Sequence, residues 1–202
     1  MKIILRTAAA FAVLQGLVLV APQILSAPTK GVTAEACLAC ADATVCDPHA
    51  CHKVAIEMAE ARDYNRAIAI EERVRAFDPA NPEVAAALAK MLEAGPKDVV
   101  GAIRLYHEAL YVAPGYPPAL LGLGNLMKDR GELAVAEKYF ERGARENPAQ
   151  PLFKVRLAEV LIESGRAERA RPLLEEIVAQ WPGSGEADRA HTLMNRTTLA
   201  RP

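Results

Sequence analysis

The stretch PALLGLGNLMKDRGELAVAEKYFERGARENP, residues 118–148, decides how the rest of this chain is read. Leu120, Leu123, Gly124 and Met127 fall at three- and four-residue spacing, as do Ala136 and Phe140 after the Asp129-Arg130-Gly131 break. Such spacing places one apolar stripe on each of two helices. Gly131 supplies the left-handed residue that a turn between helices wants. Gly124 and Ala136 are small, so the two helices can approach closely. Pro148 ends the unit, because proline disfavours helix in the residue before it.

Working outward, prolines recur at Pro79, Pro114, Pro148 and Pro182, at intervals of 35, 34 and 34 residues. A fixed period of this size marks a repeat. The following unit places Lys154, Leu157, Ala158, Leu161, Ala170, Leu174 and Pro182 on the same template. The preceding one supplies Ala85, Leu88, Ala89, Leu92, Ala102, Tyr106 and Pro114, with one extra residue in its Gly95-Pro96 turn. The first is the loosest, with Cys51, Val54, Ala55, Met58, Ala67, Glu71 and Pro79, and it opens on Asp47-Pro48, an N-cap followed by a first-turn proline.

This pattern resembles the tetratricopeptide repeat: a bulky residue, Leu-Gly and Tyr on the first helix, Ala-x3-Phe on the second, then Pro. The resemblance covers Pro48 to Pro182. It implies an all-α solenoid of about four helix-turn-helix repeats over residues 47–182. Residues 183–202 read as a further helix with a polar outer side, the capping element that the end of a stack requires. Composition agrees: 51% of residues are hydrophobic but only 5% aromatic, which suits closely packed helices rather than strands.

The N-terminus reads differently. Lys2 and Arg6 precede 23 uncharged residues, Thr7 to Thr29, the arrangement of an export signal. The same stretch meets the roughly 20 residues a membrane-spanning helix needs. Residues 1–29 are therefore expected to be a signal peptide or a transmembrane anchor helix. The remainder is expected in the periplasm, either tethered to the inner membrane by residues 7–29 or soluble after cleavage. With a formal charge of −1 and no basic stripe, nucleic acid is excluded as a partner.

All four cysteines lie in CLACADATVCDPHACH, residues 37–52, across and just beyond a linker or N-terminal cap over residues 30–46. Three chemistries fit. Cys46-x4-Cys51-His52 is a wide form of the C-x-x-C-H arrangement that attaches haem c. Cys37-x2-Cys40 with two of Cys46, His49, Cys51 and His52 would give zinc four ligands. An even number of cysteines in an exported chain favours disulfides among Cys37, Cys40, Cys46 and Cys51. Three connectivities are open. Pairing Cys37 with Cys51 and Cys40 with Cys46 nests the bridges and folds residues 37–46 back over the first repeat. Local pairs, Cys37–Cys40 and Cys46–Cys51, fasten less. The disulfide cap is the reading preferred, with no cofactor; haem c is the alternative.

No catalytic constellation is present. The histidines are His49, His52, His107 and His191, and no G-x-S-x-G, phosphate-binding glycine loop or H-E-x-x-H occurs. Glu71-Glu72 and Glu175-Glu176 are expected on solvated faces of second helices. A non-enzymatic protein is expected. The family resemblance implies that the first helix of each unit lines a concave face that holds a protein or peptide segment. Here that face carries His49, His52, Ile56 and Glu60, then Glu83, Ala86, Lys90 and Glu93. The third and fourth units add Leu121, Asn125 and Lys128, then Leu152, Val155, Glu159 and Ile162. Ala86, Leu121 and Val155 stand where the family's carboxylate clamp needs polar groups. The expected role is a scaffold comparable with adaptors of envelope assembly, secretion or cytochrome maturation.

Overall fold

A computed structural model describes residues 31–40 and 46–199 of the chain. The predicted signal or anchor segment, residues 1–29, lies outside them. Among the described residues no helix is long and apolar enough to cross a membrane. The compact unit begins at Ala34.

Eight helices form four antiparallel pairs. They are α2 (Pro48–Glu60) with α3 (Tyr64–Phe77), α4 (Pro82–Ala94) with α5 (Val99–Val112), α6 (Pro117–Asp129) with α7 (Leu133–Glu146), and α8 (Pro151–Glu163) with α9 (Ala167–Gln180). Each second helix stops two residues short of a repeat proline. The intervening residues, Asp78, Ala113, Asn147 and Trp181, have φ of −135°, −127°, −130° and −127° with positive ψ. These values lie outside the helical region, which a following proline disfavours. Every first helix then starts on its own proline, Pro48, Pro82, Pro117 or Pro151, where the missing N–H is no loss.

Small residues at the helix crossings set the packing. Ala55, Ala67, Ala89, Ala102, Ala136, Ala158 and Ala170 are wholly buried. Gly124 faces the Phe140 ring so closely that a Cβ there would lie 2.4 Å from its nearest carbon and clash. One apolar core runs through the second, third and fourth units, with Leu105, Leu120, Leu123, Phe140, Phe153 and Leu161 fully enclosed.

Both ends of the stack are covered. At the C-terminal end α10 (Gly185–Leu199) packs on α8 and α9, burying Ala187, Ala190 and Leu193. At the N-terminal end a six-residue helix, α1 (Ala34–Ala39), lies on α2 and α3 and buries Ala34 and Cys37. The sequence reading placed no helix there. Six residues are too few to show a helical period, and α1 is held by its surroundings: the Arg73 guanidinium donates to the Cys40 carbonyl, and Arg66 approaches Glu35 at 3.8 Å.

Candidate functional site

The structure divides the predicted binding row. The first helices lie side by side, α2 by α4 and α4 by α6. Along them His49, Glu60, Glu83 and Lys90 are exposed, Ile56, Glu93, Leu121, Asn125 and Lys128 are half-buried, and Ala86 is buried. Leu121 also packs against the core, and Lys128 Nζ lies 3.9 Å from Glu163. In the fourth unit the expectation needs correction. Val155 and Glu159 are buried, because α10 lies against their helix. Arg189 on α10 donates to Glu159 Oε1 through Nε at 3.0 Å, and Arg156 donates to Oε2 at 2.9 Å. Leu152 and Val155 share with Gly185, Glu186 and Arg189 a shallow hollow of about 190 Å³. Ile162 is half-buried against the core. The chain's own last helix covers Val155 and Glu159 and leaves Leu152 and Ile162 half-buried, so the part of the row it does not pack against comprises α2, α4 and α6.

A second correction concerns Glu71. On the repeat template it stands where the later units carry Tyr106, Phe140 and Leu174. It is not solvated but 0% exposed, while Glu72 beside it and Glu175 in the fourth unit are exposed. A hydrogen bond of 2.7 Å joins Glu71 Oε1 to His52 Nδ1 across the α2–α3 pair, and His52 Nε2 lies 3.6 Å from Glu83 on α4. Glu71 Oε2 is buried with no hydrogen-bond partner among the described residues. Burial pushes the Glu71 carboxyl above its usual range, against the pull of the His52 hydrogen bond and charge. The hydrogen bond to Glu71 raises His52 despite its own burial, and the charges of Glu71 and Glu83 add to the rise. Three helices of two units thus meet on one imidazole. The signal was present in the sequence, as a glutamate on an apolar template position.

The cysteines are paired Cys37 with Cys51 and Cys40 with Cys46, with Cα separations of 5.5 and 6.2 Å. The first bridge ties α1 to α2. In this arrangement the residues of the haem alternative point to different partners: Cys46 to Cys40, Cys51 to Cys37 and His52 to Glu71. Among the described residues no group of three or more histidine, cysteine, aspartate and glutamate side chains is gathered as a metal site requires.

The tetratricopeptide repeat family model matches residues 91–154 and 128–197, more than half of the chain. Solved structures with the same fold include a thermophilic TPR protein of Thermus thermophilus, 21% identical, with a TM-score of 0.64 over 73% of this chain and 81% of that one. PilF of Pseudomonas aeruginosa is 14% identical, with a TM-score of 0.65 over 75% of this chain and 69% of that one. MamA, at 14% identity, gives 0.58 over 76% and 81%. At these identities the likeness is one of fold. A curated protein of Aquifex aeolicus, itself uncharacterized, is 44% identical over 54 residues; the chain spans 7% of that protein's length and the match covers 27% of the chain.

Proposed function

The chain belongs to the tetratricopeptide repeat family, and from that premise we propose that it is a non-enzymatic, exported scaffold holding a segment of a protein partner along the first helices of its first three units. The observation that carries this reading is the contrast within one row of side chains. On α8 Val155 and Glu159 are buried beneath the chain's own last helix; on α6 Leu121, Asn125 and Lys128 retain access to solvent. The Asn125 amide can both donate to and accept from a partner backbone, and Leu121 offers an apolar contact. A segment lying across parallel helices in this way is a recurrent mode of peptide recognition.

Export to the periplasm, with residues 1–29 as anchor or cleaved signal, is part of the proposal. The basic flank and uncharged run support it, as does the pairing of all four cysteines, which belongs to an oxidising compartment. In that setting the bridged segment serves as the N-terminal cap of the stack. Without it, the first unit would leave an apolar face uncovered.

The test is photo-crosslinking in the exporting host, with the reactive amino acid placed at position 121 or 125 and, as a control, at exposed Lys138 on α7. The reading expects a discrete protein adduct from 121 and 125 that is absent from 138. Equal adducts from all three positions, or none at 121 and 125, would sink it.

A further inference from the structure

The turn inside each repeat holds one residue in the left-handed region: Arg62 at φ 64°, Lys97 at 62°, Gly131 at 77° and Gly165 at 75°. Glycine enters that region freely, while a side chain is strained there. The third and fourth units use glycine. The first and second keep a long cation, at a cost that one substitution would remove. Strain retained where relief is this simple points to a use for the side chain.

Arg62 lines a cavity of about 280 Å³ between the first two units. Ile56 and Ala59 from α2, Tyr64 from α3, and Ala87, Met91 and Ala94 from α4 give it an apolar lining. Arg62, Lys90 and Glu60 supply its charges, two cations against one carboxylate, and all three are exposed. Among the described residues neither Arg62 nor Lys90 forms a salt bridge, whereas the neighbouring Arg66, Arg75 and Arg104 are all paired. The nearby Glu93 carboxyl, on which the Lys90 charge acts, already accepts from the Tyr106 hydroxyl at 3.3 Å.

We propose that this cavity is the subsite for an acidic partner segment. One apolar side chain of that segment seats between Ile56 and Met91, and an adjacent carboxylate pairs with Arg62 and Lys90. The inference rests on the scaffold reading and adds to it the chemistry of the partner. Glu60 sharpens the choice, since it repels an acidic residue from one part of the rim and so fixes which side of the anchor carries the charge.

The experiment is selection of a random-peptide phage library on the full chain, followed by affinities of the enriched peptides for defined variants. The expected peptides join a large apolar residue to aspartate or glutamate. They should bind Arg62→Gly and Lys90→Ala about tenfold or more weakly than the parent, as loss of a charge-assisted contact implies. Arg62→Gly should at the same time raise the Tm by a few degrees, because the turn strain is relieved. Weaker binding by a more stable protein does not arise from misfolding. Enriched peptides without acidic bias, or with full affinity for Arg62→Gly, would overturn the subsite. If those same peptides lose affinity on Asn125→Ala, the scaffold reading stands and only this inference fails. Recovery of no peptide overturns the inference too, and crosslinking at 121 and 125 then judges the scaffold reading independently.

Discussion

In the first two units every helix starts on a side-chain cap. Asp47 accepts from His49 N at 3.0 Å, Asp63 from Arg66 N at 3.3 Å, Asn81 from Glu83 N at 3.0 Å and Asp98 from Gly101 N at 2.9 Å. In the last two units Tyr116, Glu132, Gln150 and Arg166 stand at those positions and none caps its helix with a side-chain hydrogen bond. The C-terminal half is held by bulk instead. Phe140, Phe153, Leu161, Leu174 and Ile177 are almost wholly enclosed. Arg166 grips Glu137 of the preceding unit with two hydrogen bonds, at 3.0 and 2.6 Å. The N-terminal half encloses fewer large side chains, and one of its buried positions goes to Glu71. It relies on local caps, two disulfides and the His52 link. In a stack stabilised by nearest-neighbour interfaces, each half can be fastened by its own means. The open first-helix row takes in both first helices of the lighter half, α2 and α4, and continues onto α6 of the heavier one.

The largest effect should come from the heavy core. Phe140→Ala removes a ring packed on Gly124 and is expected to cost about 3–5 kcal/mol in urea unfolding. A loss below about 1 kcal/mol would show that the C-terminal half does not depend on bulk. Next is the covalent cap. The Cys37–Cys51 bridge closes a loop of about 15 residues, worth roughly 3 kcal/mol by loss of chain entropy in the unfolded state. The Cys37→Ser/Cys51→Ser variant should lose amide-exchange protection in α1, α2 and α3 while α6 to α10 keep theirs. Uniform loss along the chain would erase the distinction between the halves.

A pH titration sharpens the comparison further. His52 is raised above its ordinary 6.5, so the stability it contributes is complete below that value and is lost as pH rises through the folded pKa. Glu71 is raised above 4.5 by burial, so its carboxylate form is penalised and its contribution also falls with rising pH. His52 Nδ1 faces Glu71 on α3, and its Nε2 faces Glu83 on α4. Thermal unfolding should therefore show the first two units weakening from mildly acid to alkaline pH. Glu71→Leu, which adopts the residue type of Leu174, should flatten that dependence without a large fall in Tm, as replacement of buried ion pairs by apolar groups often does. A pH profile unchanged in Glu71→Leu would contradict the assignment. The smallest effects concern caps. Asn81→Ala should cost about 1 kcal/mol, while Gln150→Asp should gain a few tenths to about 1 kcal/mol by adding the cap α8 lacks. Equal losses from both would mean that capping does not differ between the halves.

Most of the fold was legible because it rests on local rules. Proline period, three- and four-residue apolar spacing and small residues at the crossings specify paired helices without any long-range knowledge. The covering of the C-terminal end was legible for the same reason, from the length and polarity of the last helix. That it shields part of the binding row was one alternative the sequence left open. Which residues it covers was not legible, because the contact of Arg189 with Glu159 joins distant residues and one sequence carries no trace of such a pair. Glu71 is a different case. Its template position pointed inward while its chemistry pointed outward, and the outward reading was the wrong one because His52 lies one helix away to receive it. Helix α1 was hidden by its length. Arg62 and Lys97 occupy turn positions that glycine marks in later units, so their strain was latent in the alignment of the four repeats.

The most direct test of the division is a crosslinking comparison along the first-helix row itself. The reactive amino acid is placed at position 90, at position 125 and at position 155 of the full chain in the exporting host. A row open along α2, α4 and α6 and closed by α10 over Val155 predicts the same partner adduct from 90 and 125 and none from 155. An adduct from 155 as strong as that from 125 would mean that α10 does not close the fourth unit, and would contradict the account at its centre.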